Sequence, residues 1–275
     1  MEYGMGKFDR KVAMITGAGR MRGIGRAAAM AFAKEGAAVT VTGTGRDPET
    51  FPEDEKAAGW RDIDSVAEEI SGLGLGALAL VVDVTKEAQV QEAVERTVAQ
   101  FGRVDFLVNN ASAPRMAAWA PLEELTEEAW HTAMDIKVTG AFLFTKAVVQ
   151  AFLRQGGGGR IVNVVSVEAK ISRANDLAYA TASGALATFT HKAGKALAPL
   201  GIRVNGVSPG TSDTSRNDAL YGYPRTQVWH DRLESIPLGR AGQPEEIGNF
   251  IAWLCTKDAE FIVGQCIDMD GGQAA

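Results

Sequence analysis

Apolar runs alternate with amphipathic stretches along the whole chain. Val12–Thr16, Ala38–Thr42, Ala77–Val84, Val104–Asn109, Arg160–Val165 and Ile202–Val207 are short and rich in Val, Ile or Leu, without the every-second-residue polarity of a half-exposed strand. A strand covered on both faces has this pattern, because neither side has to meet water. Between the first two runs, Ile24–Glu35 has helical spacing, and Gly36 suits the left-handed stop of a helix. Val90, Val94, Thr97, Val98 and Phe101 recur at helical intervals and give a further helix one apolar stripe. Trp130–Phe152 and Tyr179–Leu197 predict two longer helices.

Strand–helix alternation of this kind predicts a doubly wound parallel sheet, with right-handed crossovers placing helices on both faces. Such sheets bind ligands beyond the carboxyl ends of their strands, near the point where strand order reverses. At 275 residues and 46% hydrophobic, the chain is long enough for one large domain over residues 1–275 with a buried core. No internal repeat is visible. Gly156–Gly159 reads as a flexible turn, and the polar stretch Gly45–Asp62, with Pro48 and Pro52, reads as a long surface loop.

Charge and cysteine content narrow the function classes. The net charge of −6 argues against a phosphate-backbone partner, which wants a basic face. Cys255 and Cys266 form no metal-spaced cluster, so the expectation is two inert thiols and no metal. Met1 to Lys7 has no apolar stretch of a signal peptide, and no run approaches the roughly 20 apolar residues of a membrane helix. A soluble cytoplasmic protein is expected.

The first candidate site follows the first strand, in Thr16-Gly17-Ala18-Gly19-Arg20-Met21-Arg22-Gly23-Ile24-Gly25. Glycines are needed where backbone approaches a pyrophosphate and turns into a helix, whose free N–H groups and partial positive charge then face the phosphates. The stretch after the second strand, with Thr44 and Arg46, holds no acid until Asp47. A carboxylate there would favour NAD through the ribose 2′-hydroxyl. Arg46, Arg20 and Arg22 instead suit the bidentate recognition of a 2′-phosphate. NADP is therefore the favoured cofactor, with NAD as the alternative.

Six motifs in order resemble the short-chain dehydrogenase/reductase family, from about Lys11 to Gly272. Gly17, Gly23 and Gly25 resemble its T-G-x-x-x-G-x-G, with two extra residues between the first and second glycines. Asp83 and Val84 stand where the family places an adenine contact, closing the third strand. Asn109-Asn110-Ala111-Ser112 resembles N-N-A-G, with Ser112 in the last place. Pro209-Gly210-Thr211-Ser212-Asp213-Thr214 resembles P-G-x-x-x-T, whose backbone and Thr214 hydroxyl would meet the nicotinamide carboxamide. Gly264–Gly272 resembles the closing strand. The resemblance implies a Rossmann-type three-layer α/β/α fold, cofactor contacts at Gly17, Arg20, Arg22, Gly23, Ile24, Gly25, Thr44, Arg46, Asp83, Val84, Asn110, Ala111, Pro209, Gly210 and Thr214, and a homo-oligomer, commonly a tetramer.

It also implies chemistry. Tyr179 would be the general acid/base on the carbinol oxygen, and Ser166, thirteen residues earlier, would hydrogen-bond the same oxygen. A phenol with an ordinary pKa near 10 needs a nearby cation to work near neutrality. The family's lysine, one helical turn after the tyrosine, is replaced by Ser183. In Asp135-Ile136-Lys137-Val138-Thr139-Gly140 a lysine stands where the family has an asparagine. Lys137 is thus the candidate for the displaced ammonium, its long stem giving it reach. His191, Lys192 and Lys195 read as surface. Residues of about 211–237 correspond to the substrate lid, and Tyr221, Tyr223 and Trp229 there point to a ring-containing or partly apolar carbonyl or alcohol substrate. Met116 and Trp119, after the fourth strand, are candidates to line this pocket, with core packing the favoured use. A non-redox enzyme on the same fold (lyase, dehydratase or isomerase) and a nucleotide-binding protein without turnover are the alternatives.

Overall fold

Seven strands form one wholly parallel sheet in a computed structural model that describes residues 6–114, 116, 119–171 and 175–275. The first five residues of the Met1–Lys7 stretch lie outside the described residues. In chain order the strands are β1 Val12–Ile15, β2 Ala38–Gly43, β3 Ala77–Val81, β4 Phe106–Asn109, β5 Arg160–Val164, β6 Arg203–Pro209 and β7 Cys266–Met269. Their spatial order is β3-β2-β1-β4-β5-β6-β7. The chain winds outward from β1 through β2 to β3, then returns to pair β4 with the other edge of β1, Ala13 against Phe106 and Ile15 against Val108. The crevice between the carboxyl ends of β1 and β4 is the switch point at which such sheets bind ligands.

The helices are α1 Ile24–Lys34, α2 Glu53–Ala57, α3 Ile63–Gly72, α4 Glu87–Phe101, α5 Glu127–Met134, α6 Gly140–Arg154, α7 Leu177–Leu197, α8 Asp218–Tyr221, α9 Gln227–Glu234 and α10 Pro244–Leu254. Side chains alternate across the pleat, so each strand feeds two cores. Ala13, Ile15, Val39, Val41, Phe106 and Val108 meet α1, α3 and α10 on one face. Met14, Leu80 and Leu107 meet Val90 and Val94 of α4 and Phe144, Val148 and Phe152 of α6 on the other. The buried Cys255 thiol is pushed up to about 12 by burial, which keeps it protonated and inert.

Four sequence expectations change. Asp83 and Val84 lie beyond β3: β2 ends at Gly43, and the Asp83 carboxylate instead accepts from the Thr85 amide and hydroxyl at 2.9 and 2.7 Å. The stretch Gly45–Asp62 is not simply a surface loop. It carries a 3₁₀ turn, Pro48–Thr50, and α2, and it buries Phe51, Glu55 and Asp62 against the glycine loop. The expected helix Trp130–Phe152 is α5 and α6 joined by one π turn, Asp135–Thr139. The stretch Glu127–Arg154 is also long and apolar enough, by length and composition, to cross a membrane, contrary to the expectation from sequence; 56% of its most apolar window is buried, so core packing accounts for those residues.

The helix that faces the switch point is seated by a close approach of two backbones. A Cβ on Gly248 of α10 would lie 2.5 Å from the carbonyl carbon of Ala27 in α1. Replacement Gly248→Val is expected to force α10 away from α1 and to lower stability by about 3 kcal/mol, at the upper end of overpacking costs; chemical denaturation measures this, and an unchanged midpoint would show that the helices separate freely.

Candidate active site

Backbone contact dictates the residue types of the glycine loop. Gly17 has φ +65°, and a Cβ there would lie 2.8 Å from the Cα of Ala111. A Cβ on Gly25 would meet the Asn110 side chain at 2.6 Å and the Gly17 carbonyl at 2.7 Å. Asn110 Nδ2 donates to the carbonyls of Thr16 and Gly17, both at 2.9 Å, which ties the end of β4 to the loop after β1. Gly23 caps α1 without any side-chain hydrogen bond, so the first amides of that helix keep their donors. These features border a cleft of about 310 Å³ that Gly17, Arg20, Gly23, Ile24, Gly25, Thr44, Arg46, Asp83, Val84, Asn110, Ala111 and Thr214 line. A backbone cradle that any Cβ would fill, at an uncapped helix start, fits the diphosphate of a dinucleotide.

The arginines of this region separate into different roles. Arg22 does not line the cleft. Its guanidinium pairs with Asp54 at 2.6 Å and Asp218 at 2.5 Å and covers the Tyr223 ring at 4.0 Å. Its carbonyl accepts from the Ser215 amide at 3.0 Å. The two-residue extension of the glycine loop thus reaches toward residues 211–237. Arg46 lines the cleft but is held by Asp62 at 3.0 Å and Glu55 at 3.0 Å, flat against Phe51. Arg20 faces the cleft and makes no hydrogen bond or ion pair with any described residue. Burial, then the neighbouring Arg46, lowers its pKa from the ordinary value, a cost that an anion in the cleft would relieve.

Asp62 is a site residue with no signal in the sequence. It precedes α3 at φ +55°, an uncommon conformation for a residue with a side chain. Its Oδ1 occupies the space that a Cβ on Gly19 would take, and its Oδ2 lies 3.5 Å from where a Gly43 Cβ would be. A carboxylate thereby reaches the end of β2 from the far end of the following loop, where the strand itself offers none. Asp83 also lies in the cleft; burial raises its carboxyl, but the Thr85 hydrogen bonds outweigh this and hold it below the ordinary value.

A second, smaller cavity of about 90 Å³ adjoins the cleft. Lys137, Ser166, Tyr179, Pro209, Gly210, Thr214 and Arg216 line it, together with Ile24 and Asn110. Ser166 follows β5, and its Oγ accepts from the Glu168 amide at 3.2 Å, leaving the hydroxyl hydrogen to be donated elsewhere. Tyr179 lies in the first turn of α7. Lys137 belongs to the π turn, whose extra residue per turn redirects a side chain and recurs at functional sites. It is 3% exposed, and its ammonium donates to the carbonyls of Val164 at 3.2 Å and Val165 at 3.0 Å. The same nitrogen is 4.8 Å from the centre of the Tyr179 ring. Ser183, one turn along α7, is fully buried, and its hydroxyl has no hydrogen-bond partner among the described residues. Arg216, absent from the sequence reading, stands 4.5 Å from the same ring centre. His191, Lys192 and Lys195 are exposed.

The segment 211–237 closes over this cavity. Arg225 pairs with Asp213 and with Asp218 at 2.8 Å. Tyr221 and Trp229 are buried against each other, rings 5.4 Å apart, whereas Tyr223 is half exposed. Trp119, Asn175, Leu220, Tyr221, Val228 and Arg232 border an open groove of about 540 Å³ beside it; Met116 is exposed and does not border it.

The comparisons with known proteins agree with this architecture. Residues 17–274 match the family model described as enoyl-(acyl carrier protein) reductase. An uncharacterized oxidoreductase of Methylorubrum extorquens is 37% identical, over 98% of this chain and 99% of its own length. The cis-4-hydroxycyclohexanecarboxylate dehydrogenase of Sinomonas cyclohexanicum is 35% identical over 98% of both. Among solved structures, NAD⁺-bound xylitol dehydrogenase is 31% identical with a TM-score of 0.84, covering 97% of this chain and 100% of its own. The chain belongs to the short-chain dehydrogenase/reductase family and is an oxidoreductase of that family.

Proposed function

We propose that the protein interconverts a secondary alcohol and a ketone with a nicotinamide dinucleotide, Tyr179 acting as general acid/base. The observation that carries this reading is the shared cavity of Ser166, Tyr179 and Lys137 beside the glycine-loop cleft. The dinucleotide, when bound, supplies or accepts the hydride. Gly17, Gly23, Ile24 and Gly25 hold its diphosphate, Asp83 and Val84 border its adenine end, and Asn110, Ala111, Pro209, Gly210 and Thr214 border its nicotinamide end. Ser166 donates a hydrogen bond to the substrate oxygen. Tyr179 gives that oxygen its proton in reduction and removes it in oxidation.

Position 183 has no charge to give, so the atypical cation is Lys137, reaching the phenol from the π turn. An ammonium close to a phenol favours the phenolate and brings its pKa below the ordinary value near 10. Residues 211–237 act as the lid that excludes water from this transfer.

The cofactor preference shifts relative to the reading of the sequence. Of the three arginines that favoured NADP, Arg22 and Arg46 are engaged by carboxylates, and only Arg20 remains for a 2′-phosphate. Asp62 lies beside Gly43 and Thr44, where a carboxylate accepts the ribose 2′-hydroxyl and repels a phosphate. NAD(H) is therefore the better reading, with NADP(H) the second, supported by Arg20.

The open groove beside residues 211–237 and the ring-bearing substrate of the Sinomonas relative support a cyclic, partly apolar alcohol or ketone.

Alcohol oxidation needs the phenolate, so its rate rises with pH through the Tyr179 pKa. Removing a cation raises that pKa; Lys137→Ala is expected to move this limb up by about one pH unit or more and to slow oxidation at neutral pH about tenfold. A limb left in place would remove Lys137 from the mechanism. Fluorescence titration is expected to show NADH binding tighter than NADPH, with Asp62→Ser narrowing the gap by about tenfold; tighter NADPH binding by the unsubstituted protein would refute the role of Asp62. Cyclic secondary alcohols are expected to exceed short acyclic ones in kcat/KM, and the reverse ranking would rule out the substrate class.

A further inference from the structure

Tyr179 has a second cation against its ring, and it comes from a different element. Arg216 sits on the 3₁₀ turn Ser215–Asn217, directly after Thr214, and lines both the catalytic cavity and the dinucleotide cleft. Its Nη2 donates to the Ala113 carbonyl at 3.0 Å and approaches the Ser112 hydroxyl at 3.4 Å, beyond the end of β4. Its guanidinium carbon is 4.5 Å from the ring centre, against 4.8 Å for the Lys137 ammonium. Resting on the reading of Tyr179 as the proton-transfer group, we propose that Arg216 is a positioning residue that stabilises the Tyr179 phenolate only while residues 211–237 are seated, coupling proton transfer to closure.

The two cations are anchored differently. Lys137 is fixed by carbonyls at the end of β5, part of the sheet. The Arg216 guanidinium meets the Ala113 carbonyl beyond β4, but its backbone belongs to the turn Ser215–Asn217. The Ser215 amide donates to the Arg22 carbonyl at 3.0 Å, and Arg22 pairs with Asp54 and with Asp218, the first residue of α8. Arg225 adds a second bond to Asp218. Lifting the segment off the glycine loop breaks these contacts and carries the guanidinium off the ring. Lys137 stays behind.

An arginine suits this role because its guanidinium keeps its charge at every working pH and stacks on aromatic faces. Carboxylates also lie on the elements around Tyr179. Asp176, three residues before Tyr179 on the same helical approach, is 1% exposed, and Glu168, on the turn Val167–Ala169 packed against α7, is 6% exposed. Lys170 on the same side is committed to Asp268 at 2.6 Å. A phenolate in a cavity shielded from water gains more from a second cation than one facing water does.

The test needs no substrate. The protein has four tyrosines, Tyr3, Tyr179, Tyr221 and Tyr223, and a near-ultraviolet tyrosinate titration, taken as the difference from Tyr179→Phe, isolates the one in question. Arg216→Gln is expected to raise that midpoint by about one pH unit, and Arg216→Lys to restore most of it. In the pH–rate profile the same limb moves by the same amount, with kcat falling more than KM rises. A midpoint unmoved in a folded Arg216→Gln protein overturns the proposal. So does a rise in KM with an unmoved profile, which would assign Arg216 to substrate contact. If the glutamine variant does not fold, Arg216→Met preserves the apolar stem and gives the same readout. Full activity in Tyr179→Phe would instead defeat the general acid/base reading, a result distinguishable from either of these.

Discussion

An ammonium sealed inside a protein is tolerable only when its hydrogens are satisfied, because desolvating an unpaired charge costs far more than a single contact returns. Two of the three Lys137 hydrogens go to carbonyls at the end of β5, and the π turn supplies the geometry that brings the ammonium there. The same strand end leads into Ser166, and the same ammonium stands against the Tyr179 ring. The relative positions of β5, the α5–α6 junction and α7 therefore decide the catalytic geometry together. Buried amides hold those elements in register: Asn109 Nδ2 donates to Asn163 at 2.8 Å and Thr145 at 3.1 Å, and Asn163 Nδ2 donates to Thr190 of α7 at 2.8 Å. Buried networks of this kind, joining a strand pair to two helices, favour one arrangement of those elements.

The cleft is cationic although the whole chain carries −6. Arg20, Arg46, Lys137 and Arg216 line it or its neighbouring cavity. What distinguishes them is their partners. Arg46 is held by carboxylates, Lys137 by carbonyls at the end of β5, and Arg216 by the Ala113 carbonyl and the turn that carries it. Arg22, from the lengthened glycine loop, organises the segment 211–237 through Asp54 and Asp218. A two-residue extension of the glycine loop has here become a clasp between that loop and the segment over the Tyr179 cavity.

Much of this was legible in one sequence. The apolar runs located β1, β2, β4, β5 and β6 to within two residues at each end, because a strand buried on both faces cannot hide its composition. The glycine pattern was equally readable, since a backbone with no room for a Cβ leaves a single residue type. Lys137 was readable as a misplaced charge in a recognisable motif. Asp62 was not, because eighteen residues of intervening chain separate it from the end of β2, and nothing local records that the chain doubles back. Arg22 and Arg46 were misjudged for a related reason: a guanidinium looks alike in sequence whether it awaits a phosphate or already grips a carboxylate. The lid aromatics Tyr221 and Trp229 pack on each other, a choice no spacing reveals.

The chain by itself determined its layers, its parallel sheet and the glycine cradle after the first strand, because periodicity and backbone sterics act over a few residues. Tertiary structure alone decided which charge meets which. Coulombic pairing is set by distance through space, and the pairs that matter here, Asp62 with Arg46, Arg22 with Asp218, and two cations with one phenol, join segments that only folding brings together.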